Sequence, residues 1–388
     1  MVLGLQPDPS HLPSHIAFGS CFGQFGVRNE QVWTSIRSQR PDLFIWTGDV
    51  AYTDVFTPFF SRYATPEEWQ SKLNETKVDP GYMALRAESM VIGTWDDHDS
   101  GLDDGDRTNP HLDLAKQLFL EFIDEPVPSP RRSHPGIYTS YTFGSGSHTV
   151  KVILLDVRTF RDPWTYTEWN YAGDSLGPEQ WQWLEAELHL PGSITLVISG
   201  TVHPGLQVFV EDKYGVVDRW HPASAVRLAS LLSTIPGAVV LSGDVHQAEM
   251  LHFPCAGKTV REVTSSGLTH SVQSQWGVVG KLYNYLLIPL SWNESPRHLV
   301  KNFGTIEVVW EKDPLVTISL RNDQGEVLFR EVFRLSESLQ SAKNAILCEK
   351  SAKERFLRHL IGSIVLISPI LLYAAAGLVY LRKFSHSY

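Results

Sequence analysis

The stretch "LSGDVHQAEM" at 241–250 presents Asp244 and His246 two positions apart, at the end of the apolar run 238–241. Alternate side chains of an extended strand share one face, so the two can converge on a single point. Other stretches are built alike. "TGDVAY" carries Asp49 and Tyr52 behind a glycine, and "HIAFGSC" ends on Cys21. "GTWDDHD" crowds Asp96, Asp97, His98 and Asp99 into four positions, with Asp103, Asp104 and Asp106 close behind. Carboxylates brought this close repel one another, and a divalent or trivalent cation removes the repulsion. A solvated turn explains any one of these stretches alone. Strand-end carboxylates from three separated segments, together with a D-x-H pair, point to metal binding.

The elements that must position these residues are short and alternate along the chain. Apolar runs at 15–21, 41–49, 89–99, 149–160, 193–200 and 238–246 predict buried strands. Helical patterns lie between them at 28–39, 113–123, 178–188 and 221–234. Residues 305–335 instead alternate with period two around turn pairs, as an antiparallel hairpin set does. The candidate ligands all follow strand ends, where layered α/β proteins gather their sites.

The ordered set "GSC … GDVAY … WDDHD … LLDVRTFRD … SGDVH … TSSGLTHS" resembles the PhoD-like (alkaline phosphatase D) branch of the calcineurin-like metallophosphoesterases, over residues 15–335. The resemblance implies an α/β, four-layered fold of two stacked mixed β-sheets flanked by helices. It also implies hydrolysis of phosphate mono- or diesters with a metal-activated water, and two or more metal ions, iron and calcium or other divalent ions. Carried over by position, Cys21, Asp49, Tyr52, Asp97, Asp103, Asp244 and His246 would be ligands. His98 would be catalytic and Arg158 would stand near the substrate. Asp103 occupies a place where the related pattern has asparagine, which changes ligand charge and hence metal preference. His203 and His270 are possible additions. His203 could complete a metal site or be a plain loop histidine; His270 could contact substrate or satisfy a turn.

Composition narrows the partners. The 388 residues carry a net charge of −10, which argues against nucleic acid. A phosphorylated small molecule or a lipid-linked phosphate remains compatible, because bound cations reverse the local field. Three cysteines (Cys21, Cys255 and Cys348) do not make a disulfide framework. A rival reading, a non-catalytic membrane-displayed binding module on the same fold, would take Asp103 as a first sign of lost turnover.

The segment Leu360–Leu381 has no charged residue and is long enough to span a bilayer. The expected organisation is a lead-in (1–14), the phosphoesterase domain (15–335), a polar linker (336–359), a transmembrane helix (360–381) and a short basic tail (382–388). This makes the protein a single-pass membrane protein with a C-terminal anchor. Lys350, Lys353, Arg355 and Arg358 before the span outnumber Arg382 and Lys383 after it, which favours a cytosolic domain. The sequon Asn74-Glu75-Thr76 favours a lumenal or external one, where Asn74 would be glycosylated.

Overall fold

The computed structural model describes residues 4–23, 30–56, 61–164, 172–202, 220–255, 258–275, 277 and 297–337. Among these described residues, fourteen strands form two six-stranded sheets and one small hairpin. The first sheet runs β14 (Val327–Arg334), β13 (Leu315–Asn322), β12 (Asn302–Val309), β1 (His15–Gly19), β2 (Leu43–Thr47), β5 (Met90–Thr94). The second runs β10 (Ala248–Cys255), β11 (Lys258–Ser265), β9 (Ala238–Ser242), β8 (Ile194–Ser199), β7 (His148–Leu154), β6 (Thr139–Ser145). The hairpin pairs β3 (Val55–Phe56) with β4 (Ser61–Arg62).

Both large sheets are mixed. Strands β1, β2 and β5 are mutually parallel, and β12 joins β1 antiparallel. In the second sheet β7, β8, β9 and β11 are parallel, with β6 and β10 antiparallel at the edges. The sheets stack face to face. Ile16, Phe18, Leu43 and Ile45 of one sheet share a core with Val152, Leu154, Leu196 and Ile198 of the other. The intervening side chains point outward. Ala17, Phe44 and Trp46 pack under the helices Glu30–Ser38, Pro66–Lys77, Pro80–Glu88 and Leu112–Phe122. Ile153, Val197 and Val240 pack under Gly177–Leu188 and Pro222–Leu232. A strand buried on both faces must be apolar at every position, which is why these runs show no alternation.

Two contacts knit the sheets beyond the shared core. Ser20, just past β1, bridges Ser266, just past β11. At the edge formed by β14 and β10, Glu331 of β14 accepts hydrogen bonds from His252 of β10 and Arg261 of β11, both at 2.9 Å.

The expected strands and hairpin set are all present, with ends trimmed by the loops that carry the candidate ligands. The helix Pro66–Lys77 was not anticipated, although its start is legible: Thr65 accepts from the Glu68 N–H while the Glu68 carboxylate accepts from the Thr65 N–H. Strand β10 was missed because Pro254 interrupts it, and an edge strand tolerates that proline. Among the described residues no helix is long and apolar enough to cross a membrane. The segment 360–381 and nearly all of the linker lie outside the described residues, as does His203.

Candidate metal centre

The parallel strands of both sheets end at one place. Cys21 follows β1, Asp49 follows β2, and Asp96 and Asp97 follow β5; Asp244 and His246 follow β9, and His270 follows β11. Two glycines make the convergence possible. A Cβ on Gly48, which has φ +92°, would lie 2.6 Å from the Asp96 Cβ, and one on Gly243 would lie 2.4 Å from both Ser20 Oγ and the Thr47 carbonyl oxygen. Both backbones therefore approach closer than any other residue allows.

The loops are also strained. Cys21, Asp49, Asp244 and His246 all have left-handed backbone, with φ of 62°, 50°, 74° and 54°. Such conformations are costly for residues with a Cβ and collect at functional sites.

Ligand-type atoms of Cys21, Asp49 and His246 lie within 4.8 Å of one another, as do those of Asp49, Asp97 and His98. The same holds for Asp96, Asp97 and Asp244, and for Asp97, Asp103 and Asp104. Asp49 thus lies within this distance of Cys21 and His246 and also of Asp97, so it can bridge two cations with His98 left out of the ligand set. Its Oδ2 accepts from the Cys21 thiol at 3.4 Å. Its Oδ1 is buried without a hydrogen-bond partner among the described residues. Burial and then the charges of Cys21, Asp97 and Asp96 push its pKa well above the usual carboxylate value. A buried carboxylate in this state needs a proton or a cation. Hard oxygens, one thiol and imidazole suit a cation pair, so the residues fit the metals that the sequence implies.

Tyr52 meets two imidazoles: its hydroxyl lies 2.9 Å from His246 Nε2 and 2.7 Å from His270 Nε2. Burial, then the neighbouring Cys21 and Asp49, raises the phenol's pKa well above 10. Burial also lowers the pKa of both histidines, His246 to about 4 and His270 to about 2. Both are neutral at physiological pH, the form that ligates metals.

His98 stands apart from that trio. Its Nδ1 is 2.9 Å from Asp54 Oδ1, its Nε2 is 3.6 Å from Asp103 Oδ1, and its ring lies 4.1 Å from that of Tyr52. Burial alone would lower its pKa, but Asp97, Asp54 and Asp103 outweigh it and push it up to about 10. Asp97 shows the converse. Burial would raise its pKa, and the charges of His98 and Arg158 with the Asp104 and His98 N–H groups hold it well below the carboxylate range.

Arg158 differs from the expectation. It is fully buried beneath the carboxylates, where no face remains for a substrate. Its Nε donates to Asp96 Oδ1 at 2.5 Å, one terminal nitrogen to Thr201 Oγ1 at 2.7 Å, and the other to the Gly105 carbonyl at 3.2 Å. Asp103 is half exposed at the rim. Asn74 lies half buried inside the helix Pro66–Lys77, and the Thr76 hydroxyl of its sequon donates to the Val50 carbonyl. Sequence reasoning missed Asp54. The signal was its place in the Asp49 loop, five residues on, because a catalytic imidazole needs an oriented partner.

A carboxylate, thiol and imidazole cluster at the carboxyl ends of two stacked mixed sheets fits a metal-dependent phosphoesterase. A family profile described as PhoD-like phosphatase matches residues 16–278, and the chain belongs to that family. Among solved structures, that of PhoD is similar at 16% identity and a TM-score of 0.58, covering 93% of this chain and 78% of its own. GAP50, the anchor in the inner membrane complex of Plasmodium, aligns at 12% identity and a TM-score of 0.47, over 89% of this chain and 95% of its own. A 5'-nucleotidase precursor from Thermus thermophilus aligns at 12% identity and a TM-score of 0.34, over 93% of this chain and 59% of its own. No curated protein matches the chain.

Proposed function

We propose that this phosphoesterase is membrane-anchored through residues 360–381 and hydrolyses phosphate mono- or diesters at the centre built by Cys21, Asp49, Tyr52, Asp97, Asp244 and His246. The observation that carries the reading is Asp49, which lies within ligand distance of both the Cys21–His246 pair and Asp97 and whose Oδ1 is buried without a hydrogen-bond donor among the described residues. Iron with calcium is the proposed pair, because the Cys21 thiol and His246 imidazole gather with Asp49, the Tyr52 phenol meets that imidazole, and Asp96, Asp97 and Asp244 form an all-carboxylate group. When bound, such cations supply positive charge to a phosphoryl oxygen and lower the pKa of a water.

The chain's own residues would do the rest. Asp54 fixes the His98 ring through Nδ1, leaving Nε2 to hold a proton for the leaving oxygen. Arg158 acts from below by holding Asp96 in place. A lipid-linked phosphate is the proposed substrate class, since an anchored domain meets such esters in its own membrane.

The test is metal analysis of the purified protein beside phosphate release from a panel of mono- and diesters. Asp49→Asn and Asp244→Asn should each lower turnover by about three orders of magnitude or more while the domain stays folded. Asparagine tolerates the left-handed backbone, so the loss would report on the ligand and not on strain. Near-wild-type turnover in either variant would sink the reading.

A further inference from the structure

The resemblance assigns His270 no role, and the sequence alone leaves it a contact with substrate or a turn. Its surroundings are specific. His270 Nε2, His246 Nε2 and the Tyr52 hydroxyl form a triangle with sides of 2.7, 2.9 and 3.2 Å. Each imidazole is held from behind. His246 Nδ1 lies 2.8 Å from the Gln275 amide oxygen, which can only accept, so the ring proton sits on Nδ1. His270 Nδ1 lies 3.0 Å from Thr269 Oγ1. That hydroxyl gives its hydrogen to the Cys21 carbonyl and also accepts from the Gly23 N–H. It is therefore an acceptor toward His270, whose proton likewise sits on Nδ1.

Both Nε2 lone pairs then face inward, and the phenol brings one hydrogen to the three atoms. Three donor atoms of this kind about 3 Å apart match neighbouring ligands of one cation, since metal–nitrogen bonds of about 2.1 Å put adjacent ligands about 3 Å apart. Outer hydrogen bonds that fix the tautomer are the usual companions of a metal-binding histidine.

We infer that His270 is a metal ligand, completing with Tyr52 and His246 the cation that Cys21 and Asp49 hold, and that Thr269 is the positioning residue that sets its tautomer. The inference rests on the metal-dependent reading above. It makes this centre richer in nitrogen than the carried-over pattern provides, with two neutral imidazoles on one cation.

The experiment uses the full chain, stripped of metal and titrated with Co²⁺ alone. Affinity is read by equilibrium dialysis and ligand type by the cobalt visible spectrum, with thermal unfolding of the stripped protein as the check on folding. His270→Ala should weaken one equivalent of Co²⁺ by at least about 100-fold and alter its spectrum. Thr269→Val, which leaves the imidazole but removes its partner, should weaken the same equivalent by about 10–100-fold, and Thr269→Ser should restore it. If His270→Ala does not fold, the Thr269 pair decides alone. Wild-type affinity and spectrum in His270→Ala, with Co²⁺ binding lost in Asp49→Asn, would overturn the assignment and leave the metal centre standing. A wild-type chain that takes up no Co²⁺, iron or calcium would overturn both.

Discussion

Arg158 and Asp96 form an ion pair with Nε and Oδ1 2.5 Å apart and neither side chain open to solvent. The pair lies under the metal centre, and Arg158 also comes within 3.9 Å of Asp97. A guanidinium here offsets part of the carboxylate charge collected at the strand ends while its planar fork fixes Asp96.

Removing one partner of such a pair strands a buried charge. Arg158→Met should therefore cost about 3–5 kcal/mol of stability. Asp96→Asn in the same chain should recover part of that loss. Urea unfolding of the two single variants and the double variant measures the coupling; strictly additive costs would show that the pair is not coupled.

His98 should behave unlike the ligands. His98→Ala should keep its metals and lose about 10²–10⁴ in kcat on alkyl esters, with a smaller loss on nitrophenyl esters, whose leaving groups need no proton. Asp54→Asn should show the same dependence on leaving group to a lesser degree, because it disturbs only the Nδ1 partner. Loss of metal from His98→Ala would make His98 a ligand instead.

The sheet clamp at Glu331 predicts a pH effect on stability. Burial would raise its pKa, but the hydrogen bonds and charges of His252 and Arg261 prevail and hold it below the usual value. A depressed carboxylate stabilises the fold above its unfolded pKa, and that contribution is lost as pH falls through the folded value. Glu331→Gln should cost about 1–2 kcal/mol at pH 7, and the gap to wild type should close in acid. Chemical unfolding at pH 7 and below pH 4 would show it; a gap that widens in acid would contradict the assignment.

The central strands β1, β2, β5, β8 and β9 and their end residues were legible because each is buried almost throughout and stops where polar chemistry begins. Phe44 and Ile45 show this: they are adjacent in sequence, yet one faces the helices and the other the partner sheet. Asp244 and His246 were expected to share a strand face, but both lie past the end of β9 in left-handed backbone and fall in different ligand groups, His246 with Cys21 and Asp49, Asp244 with Asp96 and Asp97. Arg158 also differs from expectation, because a motif gives residue type and order but not depth. Whether a guanidinium reaches solvent or a buried carboxylate depends on the loops packed over it, here those of Gly105 and Thr201. Strand β6 escaped notice because its serine, threonine and tyrosine residues suit a half-exposed edge and carry no apolar run.

The proposed anchor yields a separable prediction. With β14, the last strand among the described residues, ending at Arg334, truncation after Ser336 should release a soluble, metal-binding, active domain. The full chain should need detergent and resist alkaline carbonate. Release by carbonate would show that residues 360–381 do not span the bilayer. Protease protection in sealed vesicles then assigns the side, and a glycan on Asn74 would place it in the lumen.

The left-handed backbone at Cys21, Asp49, Asp244 and His246 sets selection for folding against selection for chemistry. Each such residue costs of order 1–3 kcal/mol, and glycine would relieve that strain. A library screened only for resistance to heat should therefore drift toward glycine at these four positions and lose turnover as it gains stability. One screened for turnover should hold all four against that drift. The difference between the two outcomes would outline the centre without any substrate having been identified.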